Sequence, residues 1–95
     1  MPTTRFAPSP TGLLHLGHAF AALAAADAAQ GGRFVLRIED LDRGRARAKY
    51  EQAIREDLGW LGLRWHEPLL HQSERGAAYS AALAQLAARD VLYPC

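Results

Sequence analysis

Two histidines that lie three residues apart, His15 and His18, are the first residues of this chain whose types and spacing could do chemistry. They follow two prolines and a glycine in residues 8–12, a composition that predicts a turn between a strand and a helix. Free backbone N–H groups and the helix dipole favour a bound phosphate at such a junction. Residues i and i+3 of a helix share one face, so both imidazoles could converge on one anionic group.

Other interpretations of this segment remain open from spacing alone. Gly17, between the histidines, could let a flat group such as an adenine ring or a ribose approach the backbone. The histidines could equally be exposed on a surface turn, and metal binding is less favoured because catalytic zinc usually takes a third protein ligand. The dinucleotide fingerprint G-x-G-x-x-G and the P-loop motif are both missing, so the sequence indicates neither a redox cofactor nor a P-loop.

The elements that must position these residues follow an α/β order. Hydrophobic periodicity predicts a strand at about 3–7, a helix at 15–30, a strand at 33–39, helices at 48–61 and 74–90, and a strand beginning at 91–93. This order predicts a parallel sheet with a βαβ start, but with too few strands for a finished sheet. We therefore expect residues 1–95 to form the N-terminal half of one nucleotide-binding domain, without a second domain.

The first predicted helix has two candidate packing faces. Leu16, Phe20 and Leu23 form an apolar stripe that we expect to be buried until Asp27 ends it. Alanines on the opposite side would let the helix lie close to a sheet.

Several other residues receive structural roles from the sequence. Ser73 is a candidate N-cap for the third helix. Trp60 and Trp65 flank a short apolar segment, and we expect them to pack in the core rather than stack on bases. His66 and His71 belong to no recognisable pattern and receive no functional role.

The composition excludes several classes of protein. A net charge of +1 and 22% charged residues indicate neither a disordered tail nor a polycation. No run of residues approaches the ~18–20 apolar residues of a membrane helix, and the N-terminus lacks the residue order of a signal peptide. The single cysteine, Cys95, rules out an internal disulfide framework and favours a reducing, cytoplasmic location.

Four blocks of the sequence are similar to the signatures of one enzyme family. Residues 5–12 followed by His-Leu-Gly-His form the first block, Arg-Ile-Glu-Asp-Leu-Asp at 37–42 the second, and residues 72–75 and 93–95 the third and fourth. Over its whole length the chain resembles class I aminoacyl-tRNA synthetases of the glutamyl type. The resemblance implies a Rossmann-type catalytic domain that activates glutamate with ATP and Mg²⁺ and passes it to a tRNA, acting as a monomer.

The resemblance also implies roles for residues at the ends of the predicted strands. His15 and His18 would be catalytic, stabilising the transition state as a carboxylate attacks the α-phosphorus of ATP. Arg5 would bind the side-chain carboxylate of glutamate with its guanidinium fork, and Glu39 would hold the ammonium group. Further glutamate contacts would come from Ala7 and Ser9, and ATP would be bound by Pro8, Ser9, Pro10, Thr11, Gly12, His15, Gly17 and His18.

Structural alternatives exist for the charged residues of these blocks. Arg5 and Glu39 could simply pair with each other across adjacent strands. Asp42 and Arg43 are candidate contacts with the accepting RNA, because the corresponding family loop lies near the substrate. The other charged residues of this loop, including Arg45 and Arg47, fit a solvated segment with weak local ion pairs better.

Cys95 is the one candidate metal ligand. Smaller members of the family often continue from Tyr-x-Cys to a second cysteine two residues later, which forms the first half of a zinc site. The resemblance therefore implies zinc ligation by Cys95 in a longer protein, while a plain thiol is the alternative. One thiolate cannot complete a four-ligand site, so this chain alone should not hold zinc tightly.

Three features distinguish two branches of the family. The ordinary branch charges tRNA(Glu) at its 3′ end and needs bound tRNA to activate glutamate. The queuosine branch attaches glutamate to the queuosine base of tRNA(Asp) and activates glutamate without bound tRNA. A short segment at 65–72, Leu41 in place of the usual threonine, and the retained His18 favour the queuosine branch. A non-catalytic nucleotide-binding fragment is a further alternative, because the lysine-rich second ATP motif is missing and the isolated chain should be inactive.

Overall fold

A three-stranded parallel sheet, in the order β1–β2–β3, forms the centre of the computed structural model, which describes residues 1–95. The strands are β1 (Thr3–Phe6), β2 (Arg33–Ile38) and β3 (His66–His71), and α1 (Leu16–Ala28) and α2 (Ala48–Trp60) connect them in turn. A short 3₁₀ helix (Gln72–Glu74) leads into α3 (Gly76–Ala88). The expected α/β architecture, with β1 and β2 parallel and joined by a helix, is confirmed.

The core lies on one face of the central strand. Phe34, Leu36 and Ile38 alternate along β2 and are all buried, as the period of two requires for a half-buried strand. Ile54 and Leu58, one turn apart on α2, are fully buried and belong to the same cluster. The side of α2 that carries Ile54 and Leu58 is therefore the side that covers the sheet.

The alanine face of α1, not its leucine and phenylalanine stripe, packs on the sheet. Ala22 and Ala29 are buried, and the Thr4 hydroxyl donates a 2.6 Å hydrogen bond to the Ala25 carbonyl oxygen. Such a bond needs the helix backbone close to β1, which only small side chains permit. The expectation that the larger stripe is buried was wrong, and its members are exposed: Leu16 (86%), Phe20 (74%) and Leu23 (42%).

Two stretches at the end of the chain differ from the sequence prediction. Residues 66–71, expected to be a connecting segment, form β3, and Pro68 is tolerated there because β3 is an edge strand. The strand expected at 91–93 is not formed. The Val91 N–H donates to the Leu86 carbonyl oxygen instead, so this backbone closes the end of α3.

Two structural roles predicted for single residues were also wrong. Ser73 does not cap α3, because α3 begins at Gly76 and Ser73 donates its hydroxyl to Asp40. Trp60 is 86% exposed, because it lies two residues beyond the buried Leu58 and therefore on another side of α2. Trp65 packs against the core as expected. No helix of this structure combines the length and apolar character that crossing a membrane requires.

Candidate active site at the carboxyl edge of the sheet

The segments that follow the three strands are tied together at one edge of the sheet. Parallel strands end on the same side, which is where open α/β sheets bind ligands. The Glu39 N–H, after β2, donates to the Pro8 carbonyl oxygen at 2.9 Å, and the Arg47 N–H donates to the Pro10 carbonyl oxygen at 3.0 Å. These backbone bonds join the loop after β1 to the loop after β2.

A cleft of about 310 Å³ opens beside the loop that follows β1. Polar and apolar groups line it in similar measure, so both an anionic and a flat apolar group could be accommodated. It brings together six of the residues predicted to bind ATP or glutamate: Ala7, Pro8, Ser9, Thr11, Gly12 and His18. Pro10, His15 and Gly17, also predicted to bind ATP, do not line it.

His15 and His18 form a stacked pair at the start of α1. Their ring centroids lie 3.8 Å apart, with 30° between the ring planes. His15 is the N-cap residue: its Nδ1 accepts from the Gly17 N–H at 3.0 Å, while His18 Nδ1 accepts from the His15 N–H at 3.0 Å. The expectation that both imidazoles share one face is therefore correct.

This reciprocal capping also fixes which ring nitrogens can donate. A neutral imidazole has one N–H donor and one acceptor nitrogen, and Nδ1 is the acceptor in both His15 and His18. Each neutral ring therefore has its proton on Nε2. The pair leaves two Nε2–H donors for an outside acceptor, next to the positive end of the α1 dipole.

Gly17 leaves space for the His15 ring. A Cβ at Gly17 would lie 2.9 Å from Cε1 and 3.1 Å from Nδ1 of His15, so any side chain there would displace the ring. The sequence suggested that Gly17 lets an outside flat group approach, whereas in the structure the neighbouring imidazole takes this space.

Arg5 and Glu39 do not pair with each other. The register places Arg5 opposite Val35, while Glu39 lies beyond the end of β2, and no ion pair joins the two side chains. Glu39 Oε2 instead accepts a 3.3 Å hydrogen bond from the Ser9 hydroxyl. Arg5 and Glu39 are both exposed, so their charged ends can meet an outside ligand.

The two predicted RNA contacts have different surroundings. Asp42 is exposed and faces Arg45 across 3.7 Å, a weak surface pair. Arg43 Nη2 donates to the Ser73 carbonyl oxygen at 3.2 Å and so joins the loop after β2 to the 3₁₀ helix after β3. Arg47 folds back onto carbonyl groups of its own loop.

Asp40 is a residue of the site that sequence reasoning missed. Its Oδ1 accepts from the Ser73 N–H at 2.8 Å and its Oδ2 from the Ser73 hydroxyl at 2.6 Å. Burial alone would raise the pKa of Asp40, but the hydrogen bonds from Ser73 outweigh burial and hold this pKa below its usual value. The signal was present in the sequence only as two family blocks, 37–42 and 72–75, which contain the two partners.

A second polar contact fixes the end of β3 against α2. His71 Nε2 lies 2.6 Å from Glu51 Oε1, and Arg55 Nη2 lies 3.2 Å from Glu51 Oε2. His71, for which the sequence suggested no function, therefore has a structural role.

The residues of this chain do not fit a zinc site. Cys95 is an exposed free thiol, and nowhere do three or more histidine, cysteine, aspartate or glutamate side chains gather closely enough to hold a metal ion.

The stacked pair should depend on the missing side chain at Gly17. We expect Gly17→Ala to lower the free energy of unfolding by about 1 kcal/mol, the usual cost of losing an N-cap, and to shift the ring NMR signals of both histidines. The control Gly59→Ala adds a methyl group in α2 where nothing lies within 4 Å, and should be neutral or stabilising. If Gly17→Ala and Gly59→Ala stabilised the fold equally, the conclusion that a side chain at residue 17 displaces the His15 ring would be contradicted.

Asp40 should make the fold sensitive to acid. Because its folded pKa lies below that of the unfolded chain, its carboxylate stabilises the fold above the unfolded value of about 3.9, and this stabilisation is lost as pH falls through the folded pKa. In urea unfolding, wild type should exceed Asp40→Asn in stability at neutral pH, and the difference should narrow in acid. The control Asp57→Asn, on an exposed side chain, should stay within about 0.5 kcal/mol of wild type at neutral pH. If the stability difference between wild type and Asp40→Asn stayed constant in acid, the lowered pKa of Asp40 would be contradicted.

Comparison with known proteins identifies the family to which these residues belong. Residues 2–95 match the model of tRNA synthetases class I (E and Q), catalytic domain. The glutamyl-Q tRNA(Asp) synthetase of Rhodobacter capsulatus is 56% identical over 94 residues, which cover 97% of this chain and 34% of that protein. Glutamate–tRNA ligase 2 of Gluconacetobacter diazotrophicus is 52% identical over 93 residues, covering 96% of this chain and 21% of the relative.

A solved structure gives the same result. The crystal structure of a glutamate tRNA ligase from Elizabethkingia meningosepticum, in complex with its amino acid, superposes with a TM-score of 0.82 at 41% identity, covering 88% of this chain and 19% of that one. The chain thus spans about a third of the length of the Rhodobacter relative and about a fifth of the other two. On this evidence the chain belongs to the class I glutamyl- and glutaminyl-tRNA synthetase family, and it carries a part of the Rossmann-like catalytic domain.

Proposed function

We propose that this chain contributes the ATP and glutamate sites of an enzyme that activates glutamate and transfers it to a tRNA. The observation that carries the proposal is the stacked pair of His15 and His18, which keeps both Nε2–H donors free at the start of α1, with His18 lining the cleft after β1. Family membership supports the same reaction. In the first step an oxygen of the glutamate α-carboxylate bonds to the α-phosphorus of ATP, and pyrophosphate leaves.

ATP would be held at the loop after β1 and the start of α1. The residues proposed for it are Pro8, Ser9, Pro10, Thr11, Gly12, His15, Gly17 and His18. The two histidines would donate hydrogen bonds to the α-phosphate oxygens, on which negative charge builds up in the transition state. Because the intrahelical capping bonds already orient the rings, little reorganisation is needed at the moment of reaction. Mg²⁺ bound to the phosphates of ATP would neutralise part of their charge, and such an ion needs few protein ligands.

Glutamate would bind between the ends of β1 and β2. The Arg5 guanidinium is exposed and free of any internal ion pair, which leaves its fork available for the side-chain carboxylate. The Glu39 carboxylate, which accepts a hydrogen bond from the Ser9 hydroxyl, would accept a further hydrogen bond from the ammonium group of glutamate. Ser9 and the backbone at Ala7, both at the cleft, would complete the pocket.

Within the family we propose the queuosine branch, in which the acceptor is the queuosine base of tRNA(Asp). The segment at 65–72 supports this branch, because most of it is β3, which runs directly into the 3₁₀ helix and leaves no inserted loop. Leu41, the retained His18 and the similarity to a glutamyl-Q tRNA(Asp) synthetase support it as well. Charging of tRNA(Glu) at its 3′ end remains the second candidate, which the similarity to glutamate–tRNA ligases favours.

Contacts with the accepting RNA are proposed at Asp42 and Arg43. Asp42 is exposed at the carboxyl edge, and the Arg43 side chain makes one hydrogen bond, to Ser73, which leaves further guanidinium donors for phosphate or base. Zinc ligation by Cys95 is proposed only for a longer protein that supplies the remaining ligands, and the cytoplasm is the proposed location.

Pyrophosphate exchange separates the two branches. We expect the full-length protein that carries this chain to exchange labelled pyrophosphate into ATP with glutamate alone, because an enzyme whose site does not depend on tRNA for closure must be built preorganised. Transfer of labelled glutamate should then require tRNA(Asp) that carries queuosine. Exchange that depends strictly on tRNA(Glu), with charging at its 3′ end, would establish the ordinary branch instead.

One variant tests the role of Arg5 in the same assay, and a second variant serves as its control. Arg5→Ala should abolish selectivity for the acidic side chain in pyrophosphate exchange. Arg64→Ala removes another exposed arginine, which lies before the start of β3 at the other edge of the sheet, and should leave the exchange unchanged.

A further inference from the structure

Two consecutive residues after β2 are bound to opposite neighbours. The Glu39 N–H donates to the Pro8 carbonyl oxygen at 2.9 Å, and the Glu39 carboxylate accepts from the Ser9 hydroxyl at 3.3 Å. The Asp40 carboxylate instead accepts two hydrogen bonds from Ser73, at 2.8 and 2.6 Å. The peptide between Glu39 and Asp40 is therefore held between the loop after β1 and the 3₁₀ helix after β3.

The two sides of this arrangement differ in strength. The bond between Ser9 and the Glu39 side chain is long and exposed, so by itself it orients the carboxylate weakly. Both Asp40 bonds are short, half-buried and made to a charged acceptor, which makes them the stronger kind of protein hydrogen bond. The lowered pKa of Asp40 agrees, because it keeps the carboxyl ionised at neutral pH. The firm anchor of this segment is thus at Asp40.

Ser73 is itself held by rigid parts of the fold. Its N–H and hydroxyl donate to the Asp40 carboxylate, and its carbonyl oxygen accepts a hydrogen bond from Arg43, three residues after Asp40 in the loop that follows β2. The preceding strand is fixed to α2 by the contact between His71 and Glu51. The anchor of Asp40 therefore belongs to the sheet and helix framework rather than to a free loop.

We propose that Asp40 is a positioning residue for glutamate binding: through Ser73 it holds the end of β2 so that the Glu39 carboxylate faces the ligand. This inference rests on the proposed function, in which Glu39 accepts from the ammonium group of glutamate. Asp40 touches neither substrate. Its effect is to keep the Glu39 backbone in one position, so that glutamate binding does not have to order this segment.

The test is steady-state pyrophosphate exchange with the full-length protein. Asp40→Ala should raise KM for glutamate about tenfold, the size expected when hydrogen bonds to a charged group are lost, and leave KM for ATP within about twofold. Ser73→Ala, which removes one of the two bonds, should have a smaller effect in the same direction, and Ser73→Thr, which keeps the hydroxyl, should restore glutamate affinity. The control Asp57→Ala, on an exposed residue of α2, should change neither constant.

A second measurement, amide hydrogen exchange at the Glu39 N–H, does not depend on the reaction. Asp40→Ala should speed this exchange at least tenfold relative to the other amides of the sheet. If wild type shows no glutamate-dependent pyrophosphate exchange either with or without tRNA, the proposed function fails and the amide measurement alone decides the positioning role. An unchanged KM for glutamate, or unchanged Glu39 protection, overturns the proposal. If Asp40→Ala does not fold, Ser73→Ala and Ser73→Thr decide by the same readouts.

Discussion

Parallel pairing of three strands is the constraint on which the site depends. It brings the ends of β1, β2 and β3 to one edge, where the chain leaves the sheet with unpaired backbone groups. Those groups find partners in the neighbouring segments: Pro8 with Glu39, Pro10 with Arg47, and Ser73 with Asp40. The satisfaction of these backbone groups builds a single surface out of three loops.

The start of α1 adds the chemical groups to this surface. A helix N-terminus has free N–H groups that are usually capped by Asp, Asn, Ser or Thr. Here two histidine side chains accept from backbone N–H groups of the first turn instead. The capping bonds occupy both Nδ1 atoms and leave both Nε2–H groups without an internal hydrogen-bond partner. One local interaction therefore stabilises the helix, stacks the rings and presents two donors in a fixed geometry, provided that residue 17 has no side chain.

The parts of this structure that follow local rules could be predicted from the sequence. Alternation of apolar residues identified β2, the prolines at 8 and 10 marked the end of β1, and small residues with a glycine pair identified α1. The strand β3 was missed because Pro68 and the polar residues beside it are permitted at an edge, a position that only the assembled sheet defines. The buried face of α1 was assigned to its larger side chains, although close approach to the sheet, held by Thr4, requires the alanines.

In the site, too, local spacing was readable from the sequence, whereas contacts between distant residues were not. His15 and His18 meet because an N-cap residue and the third residue of the helix lie side by side at the first turn, and the sequence contains that spacing. The Asp40 anchor joins residues 33 positions apart, and no periodicity links its two ends. Ser73 was predicted to cap α3 because serine before a helix usually does so, but the Asp40 carboxylate is the partner the fold brings to it.

The most direct test of the catalytic role of the histidine pair is the rate of glutamyl-adenylate formation in a single turnover. In the full-length protein, His15→Ala and His18→Ala should each lower this rate by roughly 10²–10³, as the loss of a preorganised transition-state donor does, while glutamate affinity changes little. An unchanged rate, with only the stability of the fold reduced, would show that the two histidines serve α1 and not the reaction.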